Sequence, residues 1–285
     1  MKTVFVTGAS GYIGKHVVNA LLDMKVNVST INYKNRSIDP RVTVYDCDIF
    51  GNYNNIFEIV GKPDVCLHLA WTDGFIHNSD NHLKKLYSHY KFIENMVQGG
   101  LQQVAVLGTM HEIGYHVGEI TEETPANPHS LYGVAKNSLR QSLDTLLKDK
   151  EVTFQWLRAY YITGDDTNSK SIFSKLIQAE QEGKELFPFT TGENMYDFIS
   201  VEELGKQIAL SVLQTDITGI INCCSGSPIS LRDRVERFLI DNEFRIKLNY
   251  GVFPDRPYDS PAVWGNADKI KHIMSNSECA YQSLN

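Results

Sequence analysis

A chain of 285 residues, 42% hydrophobic and 21% charged, has the balance of an ordinary soluble globular protein and the length for one large or two modest domains. Its formal net charge of −7 excludes an electrostatic case for nucleic acid or an anionic membrane surface, so any bound phosphate must be held by local devices. The cysteines (Cys47, Cys66, Cys223, Cys224 and Cys279) are odd in number and mostly sit in apolar runs. That reads as reduced thiols of a cytoplasmic protein, with no disulfide framework and no metal-ligand spacing. No apolar run approaches the roughly 18 residues that span a bilayer, and the first residues carry no signal-peptide pattern.

In chain order, residues 3–6 form a β-branched and aromatic run that ends in glycines and is predicted to be a strand. Residues 13–24 place Ile13, Val17, Leu21 and Met24 at helical spacing. Further strands are predicted over 27–31, 42–45, 65–70, 104–107 and 153–157. Helices over 82–97 and 131–147 separate the later ones. Strands alternating with helices predict an α/β fold, a Rossmann-type doubly wound parallel sheet. Beyond Gly164 the pattern gives way to Gly, Pro and aromatic residues. Residues 1–164 are therefore read as a dinucleotide-binding domain, rejoined by part of 196–224. Within that stretch, 198–201 and 220–223 are expected to return to the sheet. Residues 165–195 and 225–285 form a smaller C-terminal substrate-binding region.

Two segments carry chemistry. Thr7-Gly8-Ala9-Ser10-Gly11-Tyr12-Ile13-Gly14 follows the first strand and opens the first helix. Its glycines allow a tight turn and close approach of a pyrophosphate, and the helix N-terminus offers N–H groups and a positive dipole end. Tyr132-Gly133-Val134-Ala135-Lys136 puts a phenol and an ammonium on one helix face, four residues apart. There the lysine lowers the tyrosine pKa towards a working range. At the end of the second strand stands Asn32, with Lys34 and Arg36 after it. Nucleotide enzymes that select NAD usually carry an acid at that position, so its absence predicts NADP(H) in preference to NAD(H).

The Gly-x-x-Gly-x-x-Gly spacing with Tyr-x-x-x-Lys resembles the extended short-chain dehydrogenase/reductases, the NAD-dependent epimerase/dehydratase family, over most of the chain. The resemblance implies further roles. Asp46-Cys47-Asp48-Ile49 is similar to the family's adenine-contacting turn, and His68-Leu69-Ala70-Trp71 to its His-Leu-Ala-Ala strand end beside the cofactor. The cofactor set is thus Gly8, Ser10, Gly11, Tyr12, Ile13, Gly14, Asn32, Lys34, Arg36, Asp48, Ile49, Leu69, Ala70, Trp71, Tyr132, Lys136 and Tyr160. Counting back from Gly114, which stands where the family has Val-Tyr-Gly, puts the catalytic hydroxyl at Thr109, making Thr109, Tyr132 and Lys136 the catalytic set.

Where dehydratases of this family resemble Thr-Asp-Glu, this chain reads Thr109-Met110-His111, with Glu112 one residue late. That argues against dehydration, and Asn32 against the 4-epimerases. The implied function is reduction of the C4 ketone of a nucleotide-linked 4-keto-6-deoxyhexose in deoxysugar and polysaccharide biosynthesis. A 4-epimerase or epimerase-reductase is the alternative, and a non-catalytic NADP-binding sensor a second. Candidate contacts to the nucleotide-diphosphate sugar are His111, Tyr161 (where the family has Asn), Asn194 and Arg256. A homodimer through the helices over 82–97 and 131–147 is expected from the family.

Overall fold

The computed structural model describes residues 2–32, 37–51, 53–164, 171–254 and 259–282, with side chains in the last segment to residue 277. A seven-stranded parallel sheet forms its centre. Across the sheet run Gly219–Cys223, Thr153–Ala159, Gln103–Thr109, Val65–His68, Thr3–Thr7, Asn27–Ile31 and Thr43–Tyr45. The strands at 65–68, 103–109 and 153–159 are wholly or mainly buried, as near-continuous apolar runs must be when helices cover both faces. On one face Val17, Leu21, Leu204, Ile208 and Ile270 pack from helices Gly14–Asp23, Val201–Val212 and Asp268–Gln282. On the other, Phe92, Ile93, Leu139 and Leu143 pack from Leu86–Gln98 and Leu131–Leu147. A smaller cluster of Phe173, Leu176, Phe189, Val235 and Leu239 joins Ile172–Gln181 to Leu231–Asp241 beyond the sheet.

Thr3–Thr7 lies between Val65–His68 and Asn27–Ile31. Successive strands therefore run outward in opposite directions from this point, and the crevice where ligands bind in open α/β sheets opens at the strands' carboxyl ends, at Thr7, His68 and Thr109.

Two expectations shift. Gly219–Cys223 does join the sheet, beside Thr153–Ala159. Phe198–Ser200 instead pairs in parallel with Tyr161–Thr163 in a separate two-stranded piece. Val201 cannot extend that strand, because the Ser200 side chain accepts from the Glu203 N–H and starts a helix there. The expected helix over 82–97 is broken into Asn81–Lys84 and Leu86–Gln98.

Candidate active site

The glycine loop is shaped by contacts that only glycine permits. Gly8 has φ +74°, and a Cβ there would lie 2.8 Å from the Ala70 nitrogen; at Gly14 a Cβ would lie 2.0 Å from the Gly8 carbonyl oxygen. The loop thus packs its backbone directly on the Leu69–Ala70 turn. The Thr7 carbonyl and hydroxyl accept from the Leu69 and Ala70 N–H groups at 3.2 Å each. Ser130, Ser171, Ser200 and Ser230 each cap their helix with a side-chain oxygen, whereas Gly14–Asp23 has no side-chain cap. An N-terminus of that kind, met by a close-packed glycine turn, fits a dinucleotide pyrophosphate.

Other expected cofactor contacts are placed as follows. Ser10, Gly11 and Ile13 lie in the loop, and Gly11 N–H donates to the Gly8 carbonyl at 2.9 Å. Tyr12 donates its hydroxyl to the Gly164 carbonyl at 2.6 Å, tying the loop to the far rim. Asn32 is exposed, with its backbone N–H on the Tyr45 carbonyl. Asp48 closes its turn on the Phe50 N–H, while Ile49 is buried. Tyr160 packs against Gly265, and its buried hydroxyl has no hydrogen-bond partner among the described residues. Lys34, Arg36 and Arg256 lie outside the described residues.

At the switch point Thr109 ends its strand and caps the turn Met110–Glu112, accepting from the His111 N–H at 3.3 Å. The Ser130 cap starts Leu131–Leu147, which brings Tyr132 and Lys136 onto the face towards this turn. Thr109 lies close enough to the Tyr132 hydroxyl to draw the phenol pKa down, but burial is the larger effect and pushes it up to about 12. Lys136 does not turn to the phenol. It is 2% exposed, donates to the Leu107 carbonyl at 2.7 Å, and sits 3.9 Å over the Trp71 ring. The expected lowering of the Tyr132 pKa by Lys136 is therefore not what this arrangement gives. Burial in turn pushes Lys136 down to about 7, against the pull of the Glu112 carboxylate.

Histidines wall this site, and sequence reasoning picked out only His111 and, as part of a motif, His68. The His77 ring stacks on Tyr132 (5.5 Å, 16°) and meets His111 at 4.5 Å, and the His77 carbonyl accepts from the Tyr132 N–H at 2.8 Å. Deeper in, Thr7 Oγ1, His68 and His89 are linked by two hydrogen bonds of 2.8 Å. Burial holds His68 and His89 far below the usual imidazole range and His111 down to about 4. At neutral pH this wall is polar but uncharged, which suits sugar hydroxyls and not phosphate. The one signal for it was the density of histidine around a lone tryptophan in residues 71–89.

Glu112 is committed elsewhere. It is fully buried, accepts from Arg158 Nε at 2.6 Å and from Trp156 Nε1 at 2.9 Å, and Arg158 also donates to Thr121 O and Asn222 Oδ1. Two expected substrate contacts also have structural partners. Asn194 Nδ2 donates to the Ser260 carbonyl at 3.0 Å, and the Tyr161 ring packs on Tyr196 at 4.4 Å. Among the described residues no three of His, Cys, Asp and Glu group to hold a metal ion, and no helix is long and apolar enough to cross a membrane.

Comparison with known proteins agrees with this geometry. A family model described as NAD dependent epimerase/dehydratase matches residues 4–224. A relative from Aggregatibacter actinomycetemcomitans, dTDP-6-deoxy-L-talose 4-dehydrogenase (NAD(+)), is 43% identical over 271 residues, covering 92% of this chain and 98% of its own. Among solved structures, MoeE5 in complex with UDP-glucuronic acid and NAD superposes with a TM-score of 0.79 at 22% identity, covering 96% of this chain and 92% of its own. A UDP-N-acetylglucosamine 4-epimerase from Methanobrevibacter ruminantium M1 gives 0.81 at 23%, covering 95% and 91%. These likenesses confirm the Rossmann-type α/β fold.

They also correct the NADP(H) preference. The 43% identical relative is named for NAD(+), and the MoeE5 structure holds NAD. The physical reason is that an asparagine amide can donate and accept to ribose hydroxyls as a carboxylate can accept from them. A missing acid at residue 32 therefore removes a repulsion without building a phosphate site.

Proposed function

The chain belongs to the NAD dependent epimerase/dehydratase family, and from that premise we propose that it interconverts the C4 hydroxyl and C4 ketone of a dTDP-linked 6-deoxyhexose with NAD(H), working as the 4-keto reductase. The observation that carries this reading is the Thr109, Tyr132 and Lys136 set at the switch point of a chain so similar to a relative named for that C4 chemistry. Gly8, Gly11 and Gly14 with the uncapped helix would hold the pyrophosphate. When bound, NAD(H) supplies the hydride chemistry. Tyr132, kept protonated by burial, gives its proton to the C4 oxygen in reduction and takes it back in oxidation. Thr109 fixes that oxygen against the phenol. Incubation with NADH and a dTDP-4-keto-6-deoxyhexose should consume both in equal amounts. A 4-epimerase would instead leave both unconsumed and, given the 4-hydroxy sugar with NAD+, would return the inverted alcohol with no net formation of NADH, and that result would replace this reading.

NAD(H) is expected to bind at least tenfold more tightly than NADP(H). Fluorescence titrations with NADH and NADPH measure this, and tighter NADPH binding refutes it. A homodimer is also proposed. Leu83 (47% exposed), Tyr87 (70%) and Val134 (36%) present apolar surface on the helices over 81–98 and 131–147, where pairing would cover it. Sedimentation at micromolar concentration should give a dimer, and Tyr87→Glu a monomer. A monomeric native protein rules the arrangement out.

A further inference from the structure

Trp71 stands where the family strand end carries a small residue, and everything around it fixes its orientation. Its indole Nε1 donates to His82 Nδ1 at 3.0 Å, and His82 Nε2 donates to the Ile76 carbonyl at 2.9 Å. A carbonyl can only accept, so His82 must be the Nε2–H tautomer, leaving Nδ1 free to receive the indole proton. One face of the indole stacks on His89 (4.4 Å, 17°), which is pinned through His68 to Thr7. The Lys136 ammonium lies 3.9 Å from the indole ring centre. Its one hydrogen-bond acceptor among the described residues is the Leu107 carbonyl. The titratable groups facing it are Glu112 from the turn before the long helix and the two neutral imidazoles His68 and His89. Among the described residues no carboxylate makes a hydrogen bond or ion pair with it.

We propose that Trp71 is a positioning residue that seats the Lys136 ammonium by cation–π attraction, standing in for a second polar partner and keeping the lysine charged at the catalytic site. A cation over an indole face is stabilised by the ring quadrupole, most strongly when both are shielded from water. The same shielding penalises the charge, so Lys136 sits close to losing its proton in the neutral range. The sign follows. The charged form is full below that point and is lost as pH rises through it, and removing the ring face moves the point down. Removing the bulk as well would admit water and move it up, so the informative contrast is between two residues of similar size.

The test compares Trp71→Phe, which keeps a ring face, with Trp71→Leu, which keeps apolar bulk without one. Lysine ¹³Cε resonances are followed from pH 5 to 10, with Lys136 assigned by its loss in Lys136→Met. The expected result is a Lys136 midpoint at least half a pH unit lower in Trp71→Leu than in Trp71→Phe. The basic limb of the kcat/KM profile should move with it. Equal midpoints in the two variants overturn the proposal, as does a shift in Trp71→Phe as large as that in Trp71→Leu. The proposal rests on the reading that puts Lys136 in the catalytic set, but the NMR midpoints need no sugar substrate. Failure of the sugar assignment would therefore leave them standing, and failure of the seating would show in them alone. Thermal melts of both variants separate a misfolded protein from an unseated lysine.

Discussion

Tyr132→Phe should lower turnover of a dTDP-linked 6-deoxyhexose by about 10²–10⁴, the usual loss when a general acid is removed, while binding of NAD(H) and sugar nucleotide stays close to native. The ring stays in its stack under His77, so the wall of the site keeps its shape and only the transferable proton is gone. On the proposed reading, the pH dependence of the two directions follows from the same group. Burial keeps the phenol protonated well above neutral pH, which favours the step in which it donates. Reduction should therefore hold its rate across the neutral range, and oxidation should climb with pH as the phenolate becomes accessible. Steady-state rates in both directions from pH 6 to 9 measure this. Full activity in Tyr132→Phe would remove Tyr132 from the mechanism, and oxidation that fails to rise with pH would remove its role as the titrating base.

Much of this was legible because it is local. The alternation of apolar runs with amphipathic stretches located the sheet strands, and a glycine spacing requires no partner to be read. Leu131–Leu147 was found by its helical pattern alone, and the Ser130 side chain that starts it emerged with the fold. What escaped depends on contacts between distant residues. That Glu112 would be buried under Trp156 and Arg158 was not visible, because the partners lie 44 and 46 residues away. The orientation of Lys136 is set by a backbone carbonyl of another strand and by Trp71, neither of which the Tyr-x-x-x-Lys spacing contains. His77 reaches Tyr132 only because an irregular segment, 72–80, folds back to meet the first turn of that helix. One miss was avoidable. Ser200-Val201-Glu202-Glu203 is a serine followed three residues on by a glutamate, a helix start, and reading it would have ended the strand at Ser200. The cofactor preference failed for a different reason. It was inferred from a missing acid at residue 32 and the bases Lys34 and Arg36 close by in sequence, and neither an absence nor a nearby charge by itself builds a phosphate site.

The second large effect concerns Glu112, whose carboxylate binds the turn carrying Thr109 and His111 to the strand beneath. Glu112→Leu should destabilise the protein by about 3–5 kcal/mol, because it leaves a buried guanidinium without its counter-charge. Arg158 would keep Asn222 Oδ1 and the Thr121 carbonyl, both neutral acceptors, and Trp156 Nε1 would lose both of its contacts to Glu112. At about 2–4 °C per kcal/mol for a protein of this size, the melting temperature should fall by on the order of 10 °C. Glu112→Leu with Arg158→Met removes both charges together and should recover most of the loss, since an apolar pair of similar volume in such a site is often neutral or stabilising. The four proteins form a double-mutant cycle read by urea denaturation. A single-variant cost under about 1 kcal/mol, or a double variant no better than Glu112→Leu, would show that the pair does not anchor this turn. Activity gives the link to function. Thr109 and Glu112 border the same turn, Met110–Glu112, so Glu112→Leu should also lower kcat, and the repacked double variant should restore it without any carboxylate at residue 112. Restored turnover there would confirm that Glu112 holds the site in place and handles no proton, which is what separates this chain from a dehydratase using the neighbouring positions as acid and base.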